Sequence, residues 1–329
     1  MAVMSQIPGS APNAAKRTFV QLIGDACSEL GLVAPTSAIG NTDQQVIQLV
    51  ALAQREARET AQEGTQIGGW QMMRQRTRFQ VQSTGIVPVD TVSGDPTLTF
   101  ESAPSPAPLV GWAVSASNGS NSGLFPQGAT VAAVLSPTQY TMSQAATVTQ
   151  NGTLMALGQV AYPFPNDADH LMPSTFWDRD MRWQIEGPLS PQDWQSLVSG
   201  VIATGPRRRY RVMDGQFYLN PVPADHNNLE YEYYSNNFCQ SALNVLQPRF
   251  LADTDIYLLD DDTMILGILW RFRRSKGLDY DQEWDTWDSA VQRYKSRQQS
   301  AKNLPLNATV MDYPMFLGVA NVPDTGYGS

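Results

Sequence analysis

The sequence predicts an α+β protein. A helical layer from both chain ends packs on a small antiparallel β meander, with an inserted all-β module and an extended C-terminal arm. Three observations carry this expectation. Amphipathic helical periods lie near the N-terminus and again from Asp262 to Ala301. The chain between them is rich in short β-prone runs. The 28 residues after Ala301 have no helical period.

Residues 1–16 are small, Pro-containing and aperiodic, and read as an N-terminal arm. A first helix is expected over Thr18–Leu30. Thr18 and Gln21 make a capping box, Phe19, Leu22, Ile23, Ala26 and Leu30 form one apolar stripe, and Gly31 supplies the stop. A second helix is expected from Thr42. Its stripe is Val46, Leu49, Val50, Ala53 and Ala57, and its polar face carries Arg55, Glu56, Arg58 and Glu59. Gly68-Gly69 ends it, and Arg76–Gln82 alternates as a strand.

From Gly94 to about Pro163 charges almost vanish. The β-prone runs are Leu98–Glu101, Leu109–Ser115, Ala129–Leu135, Gln139–Ser143 and Thr153–Leu157. Asn118-Gly119, Gln127-Gly128 and Asn151-Gly152 read as turns between them. The expected organisation is therefore a core domain of 17–93 and 164–301 interrupted by a β module at 94–163, with arms at 1–16 and 302–329.

In the second half of the core, Ser190 caps a short helix, with Pro191 at its first position and Asp193 completing the cap. Asp214-Gly215 joins a hairpin that pairs Val212 with Phe217 and Tyr210 with Leu219. Leu229, Tyr231 and Tyr233 are expected to add a third strand. Two helices follow, Asp262–Lys276 and Tyr280–Ala301, joined at Gly277. Asp260–Asp262 suits the first helix's N-terminus, and Arg271, Arg273, Arg274 and Lys276 suit its C-terminus. Its interior, Met264 to Trp270, is apolar almost all round. On the second helix Trp284, Trp287, Val291 and Tyr294 form one seam, facing either the domain core or a neighbouring subunit.

Composition narrows the function. Net charge is −9 and the pI is near 4.7, which argues against general nucleic-acid binding by the whole surface. Cys27 and Cys239 have no metal or disulfide spacing, and Cys27 reads as a small buried hydrophobe. No apolar run of 18 residues marks a membrane span, and residues 1–15 do not read as a signal peptide, so a cytoplasmic product is expected. His170 and His226 sit in polar, loop-like contexts without ligand spacing. Asp260–Asp262 reads as a helix cap in preference to a cation site. Neither a nucleophile elbow nor a phosphate-binding glycine loop occurs, so neither an enzyme nor a cofactor is expected.

Two features read as partner-binding. Arg207, Arg208 and Arg209 form the only run of three basic residues, suited to an acidic protein surface or to a solvated strand start. The tail carries Leu304, Leu306, Val310, Tyr313, Met315 and Phe316, more large apolar residues than disorder usually holds. Strand addition onto a partner explains them, and so does a strand folded back on the same subunit.

The order of elements resembles the head-to-tail adaptor proteins of tailed bacteriophages, also called connector or tail tubular proteins. The carrying stretches are Gly69-Trp70 entering a strand, the meander, Leu266–Gly277 and Tyr280–Arg297. The nearest phrases are Trp270-Arg271-Phe272-Arg273-Arg274-Ser275-Lys276-Gly277 and Tyr280-Asp281-Gln282-Glu283. The insert resembles a small β module recurring in phage structural proteins, through Val110–Ser115, Phe125–Val131 and Tyr140–Ser143. Ordinary adaptors lack it. The resemblance implies a virion neck protein that forms a ring, usually of twelve subunits. Its partners would be itself, the portal protein and tail tube or nozzle proteins, with DNA passing through the lumen unbound. Twelve copies at −9 would carry about −108, in keeping with a bore that does not grip DNA. The rival expectations are a receptor- or carbohydrate-binding tail protein, with the insert as its binding module, and another collar or stopper component.

Overall fold

A computed structural model describes residues 16–63, 70–115, 123–126, 128–172, 174–199 and 208–298. It is a mixed α+β structure whose sheets are antiparallel. The described residues include five helices: α1 (Phe19–Glu29), α2 (Gln44–Glu63), α3 (Pro191–Ser199), α4 (Asp261–Ser275) and α5 (Asp281–Gln298).

Local signals account for the helix ends. The Thr18 amide donates to Gln21 Oε1 at 2.9 Å, as a capping box requires. Gly31, at φ +70°, ends α1. Asp43, not Thr42, caps α2: its Oδ1 accepts the Gln45 amide at 2.9 Å. Ser190 caps α3 by accepting the Asp193 amide, with Trp194 buried beneath. Asp260 caps α4 by accepting the Thr263 amide at 3.0 Å. Its neighbours hold the chain's first described residues. Asp261 accepts the Arg17 amide at 3.0 Å, and Asp262 pairs with the Arg17 guanidinium at 2.7 Å. This acidic run is thus engaged as a cap and an anchor. Between α4 and α5 the chain turns at Gly277.

The strands follow in chain order. After a 3₁₀ turn at Gln71–Met73 come β1 (Arg74–Gln80), β2 (Val87–Thr91), β3 (Thr97–Phe100), β4 (Ala113–Val114), β5 (Val131–Val134), β6 (Gln139–Met142), β7 (Gln150–Met155), β8 (Leu157–Gly158) and β9 (Ala161–Pro163). Then come β10 (Ala168–Leu171), β11 (Trp177–Asp178), β12 (Trp183–Gln184), β13 (Arg209–Met213), β14 (Gln216–Asn220), β15 (Asn228–Ser235), β16 (Cys239–Gln240), β17 (Leu246–Gln247) and β18 (Ile256–Tyr257).

One sheet of order β5-β6-β3-β2-β7 encloses a core of Val89, Leu98, Phe100, Trp112, Tyr140, Met142 and Met155. It includes β2, which lies before the Gly94 composition change, and it leaves out β9, which pairs with β14 instead. Charge depletion marks a surface, whereas strand pairing is set by apolar alternation. Val87 and Val89 carry that alternation upstream of Gly94.

The hairpin β13-β14 forms in the expected register, Val212 opposite Phe217 and Tyr210 opposite Leu219. The expected three-strand meander does not form. β15 lies in another sheet, between β1 and the strands β10 and β11, while the hairpin's further neighbour is β9. The residues of β15 explain this. Leu229, Glu230, Tyr231, Tyr233, Tyr234 and Ser235 are all buried, so the strand needs cover on both faces and both edges. The hairpin and the β15 sheet face each other across Tyr162, Phe176, Phe217 and Tyr231.

The helical layer covers neither of these sheets. The apolar faces of α1, α2 and α4 share a core with Phe238, Cys239, Phe250 and Tyr257, on and around the small sheet β17-β16-β18. Cys27 and Cys239 are buried free thiols in that core, and burial pushes the Cys239 thiol up to about 12.

A loop onto this layer gives a pH dependence. Asp253 accepts the Ile39 amide at 2.7 Å, the Ser37 hydroxyl at 2.7 Å and the Ala38 amide at 2.9 Å. Partial burial opposes ionisation, but these three donors outweigh it and hold the carboxyl below the ordinary carboxylate value. A depressed folded value stabilises the fold above the unfolded value of 3.8 and loses that contribution as pH falls. Tm should therefore drop between about pH 5 and about pH 3, and drop less steeply in Asp253→Asn. Identical slopes in calorimetric scans of the two proteins would contradict this.

Candidate functional site

The most constrained set of polar side chains lies where α2, α4 and α5 meet. Glu56, on α2, has no exposed surface. Its Oε2 meets Arg271 Nε of α4 at 2.5 Å. Its Oε1 accepts Trp287 Nε1 of α5 at 2.7 Å and the Thr60 hydroxyl at 2.9 Å. Arg271 also reaches Glu59 at 2.8 Å, and its guanidinium lies 4.3 Å from the Trp270 ring centre. Burial drives the Glu56 carboxyl above its usual value, while Arg271, Thr60 and Trp287 favour its charged form. Gly267 makes the room: a β-carbon there would overlap the Glu56 side chain. This cluster pins three helices.

Two sequence expectations change here. Glu56, expected on the polar face of α2, is instead the buried centre. Arg271 was assigned to the helix C-terminus and is instead buried against Glu56. The physical reason is that α5 lies over this part of α2 and α4 and excludes water. Gly267 was the available signal, because glycine inside a helix is unfavourable unless another group approaches closely.

The aromatic seam divides. Trp287 and Val291 are buried and Tyr294 is half-buried against Trp70, with ring centres 5.0 Å apart. Burial pushes the Tyr294 phenol up to about 12. Trp284 departs from the seam and is 42% exposed. Tyr280 and Trp287 already occupy the Trp270 ring, with centres at 6.3 Å and 5.7 Å, so Trp284 turns outward. Leu278, in the α4–α5 turn, is also exposed.

The basic run divides too. Arg208 is turned inward: it pairs with Asp178 at 3.1 Å and with Asp225, and Asn227 also donates to Asp178 at 2.9 Å. It is therefore not available to a partner, contrary to expectation. Its charge is needed to balance Asp178, a buried carboxylate that also accepts the Asp180 and Met181 amides. Arg209 makes a surface pair with Glu186 at 3.2 Å. Arg207 lies outside the described residues, as do Leu304, Leu306, Val310, Tyr313, Met315 and Phe316 of the tail.

Among the described residues no group of three or more His, Cys, Asp or Glu is arranged to hold a metal ion. No described helix is long and apolar enough to cross a membrane. His170 pairs with its neighbour Asp169 at 2.7 Å and lines an apolar pocket of about 300 Å³ with Phe164, Leu171, Tyr210 and Val212. No protein-family model matches the chain, and no curated protein matches it.

Proposed function

We propose that the protein is a non-enzymatic structural virion component, a phage-neck subunit that forms a ring joining the portal to tail components. In this reading the α4–α5 helix pair belongs to the ring wall, the β2–β7 sheet is an inserted module facing away from it, and residues 302–329 form an arm toward a neighbouring protein. DNA passes through the lumen without specific contacts. The observation that carries the reading is the outward Trp284 on a helix pinned from behind. A large aromatic exposed on a rigid helix suits a subunit interface, because its burial on assembly costs little side-chain entropy. The pinning by Glu56, Arg271 and Trp287 would keep that face in one orientation around a ring.

The test is Trp284→Glu. The variant should keep the helical circular dichroism and Tm of the parent, since the side chain is not part of the core. Its sedimentation mass should fall to that of the monomer under conditions in which the parent assembles. A variant that assembles like the parent would remove the main support for this interface.

A further inference from the structure

Among the described strands β1 is the longest at the edge of a sheet. All seven of its residues pair with β15, and no described strand pairs with its other side. An edge of this length is usually covered or blunted. Its side chains divide into two rows. Arg74, Arg76 and Arg78 are exposed on one face. Gln75, Thr77 and Phe79 point toward the shared sheet core but remain half-buried, while Tyr231 and Tyr233 opposite them on β15 are buried. The Phe79 ring packs on Tyr162 and Phe217, with centres at 5.1 Å and 5.4 Å, yet the residue stays only half-buried. The edge thus has room for a strand with apolar side chains on the Phe79 face; on the arginine face Glu230 of β15 already pairs with Arg76 at 2.5 Å, and an acidic group on the added strand would extend that ion pair.

The chain leaves α5 beside this edge. Gln71, three residues before β1, donates to the Gln298 carbonyl at 2.9 Å, and Tyr294 packs on Trp70. The residues that follow contain a segment of matching pattern. In Thr309-Val310-Met311-Asp312-Tyr313 the alternation puts Met311 and Tyr313 on one face and Asp312 on the other, and Pro314 ends the run. Ten residues, 299–308, separate this segment from Gln298. They span up to about 33 Å, more than the roughly 23 Å length of a seven-residue strand, so the segment can reach the whole edge.

We infer that the outer edge of β1 is the docking site for this chain's own C-terminal segment, with residues 309–313 added as a further strand. Met311 and Tyr313 cover the flank of Phe79, and Asp312 lies over the arginine row. The inference concerns the free subunit and stands whether or not the protein forms a ring. It describes where the arm is held before any partner takes it.

Hydrogen exchange by mass spectrometry on the full-length monomer tests it. The probe peptide covers 74–80. A chain truncated after Ala301 is compared, together with a full-length Val310→Pro/Met311→Pro variant. Adjacent amides of a strand point to opposite sides, so one of these two substitutions must remove a donor facing β1. Both changes lie outside the described fold. The expected result is that the β1 peptide exchanges about tenfold faster in both altered proteins than in the parent, with the helix peptides unchanged. Equal exchange in all three proteins overturns the inference. So does fast exchange in the truncated chain alone, which would place the contact elsewhere in the tail. Protection that appears only at high protein concentration would assign the strand to another copy and overturn it as well.

Discussion

Gly267→Ala is expected to destabilise the protein by about 3–5 kcal/mol, even though Gly→Ala inside a helix ordinarily stabilises by about 1 kcal/mol. The reversed sign comes from Glu56. The new methyl overlaps its side chain in a core that has no exposed surface at that point. Overpacking alone costs about 1–3 kcal/mol. Displacing the carboxylate also strands it and Arg271 without partners in a buried setting, and breaking such a pair costs about 3–5 kcal/mol. The two costs overlap and do not add. Denaturant melts should show a lower midpoint with an unchanged m-value. A second construction isolates the cause: in a Glu56→Ala/Arg271→Met background, where neither charge remains, the same glycine replacement should cost less than about 1 kcal/mol. Equal costs in the two backgrounds would show that the glycine matters for another reason.

Arg208→Ala should cost about 3 kcal/mol, while Arg209→Ala should change stability by less than about 0.5 kcal/mol. The neighbours differ in what they leave behind. Removing Arg208 leaves the buried Asp178 without its countercharge, and Asp225 loses its partner at the edge of the cluster. Removing Arg209 frees Glu186 to water, since both side chains are more than two-fifths exposed. Thermal melts of the two single variants are sufficient. Equal losses would contradict the inward placement of Arg208.

The sequence made local geometry readable and left distant partners unreadable. The β13-β14 register was legible because a two-residue Asp214-Gly215 turn fixes which residues face each other. The α1 cap and the α4 cap were legible for the same reason, since their donors and acceptors lie within three residues. The place of β15 was not legible. Alternation says which side chains seek cover but not which strand supplies it, and β1 lies about 150 residues upstream. The same limit hides the burial of Glu56. Its position on the helix matched a polar face, and only the approach of α4 and α5, more than 200 residues downstream, turns that face inward. Of the candidate site residues, Trp287 and Val291 lie in the core and Trp284 faces out, because α5 rests on Trp270 through Tyr280 and Trp287. Periodicity groups the seam residues but cannot say where the supporting helix ends.

A neck subunit must assemble into rings. Electron micrographs of the purified protein, alone and mixed with its portal, test it most directly. Closed rings of one diameter, seated coaxially on the portal, are the expected result. A protein that stays monomeric at every concentration and never joins the portal would contradict it.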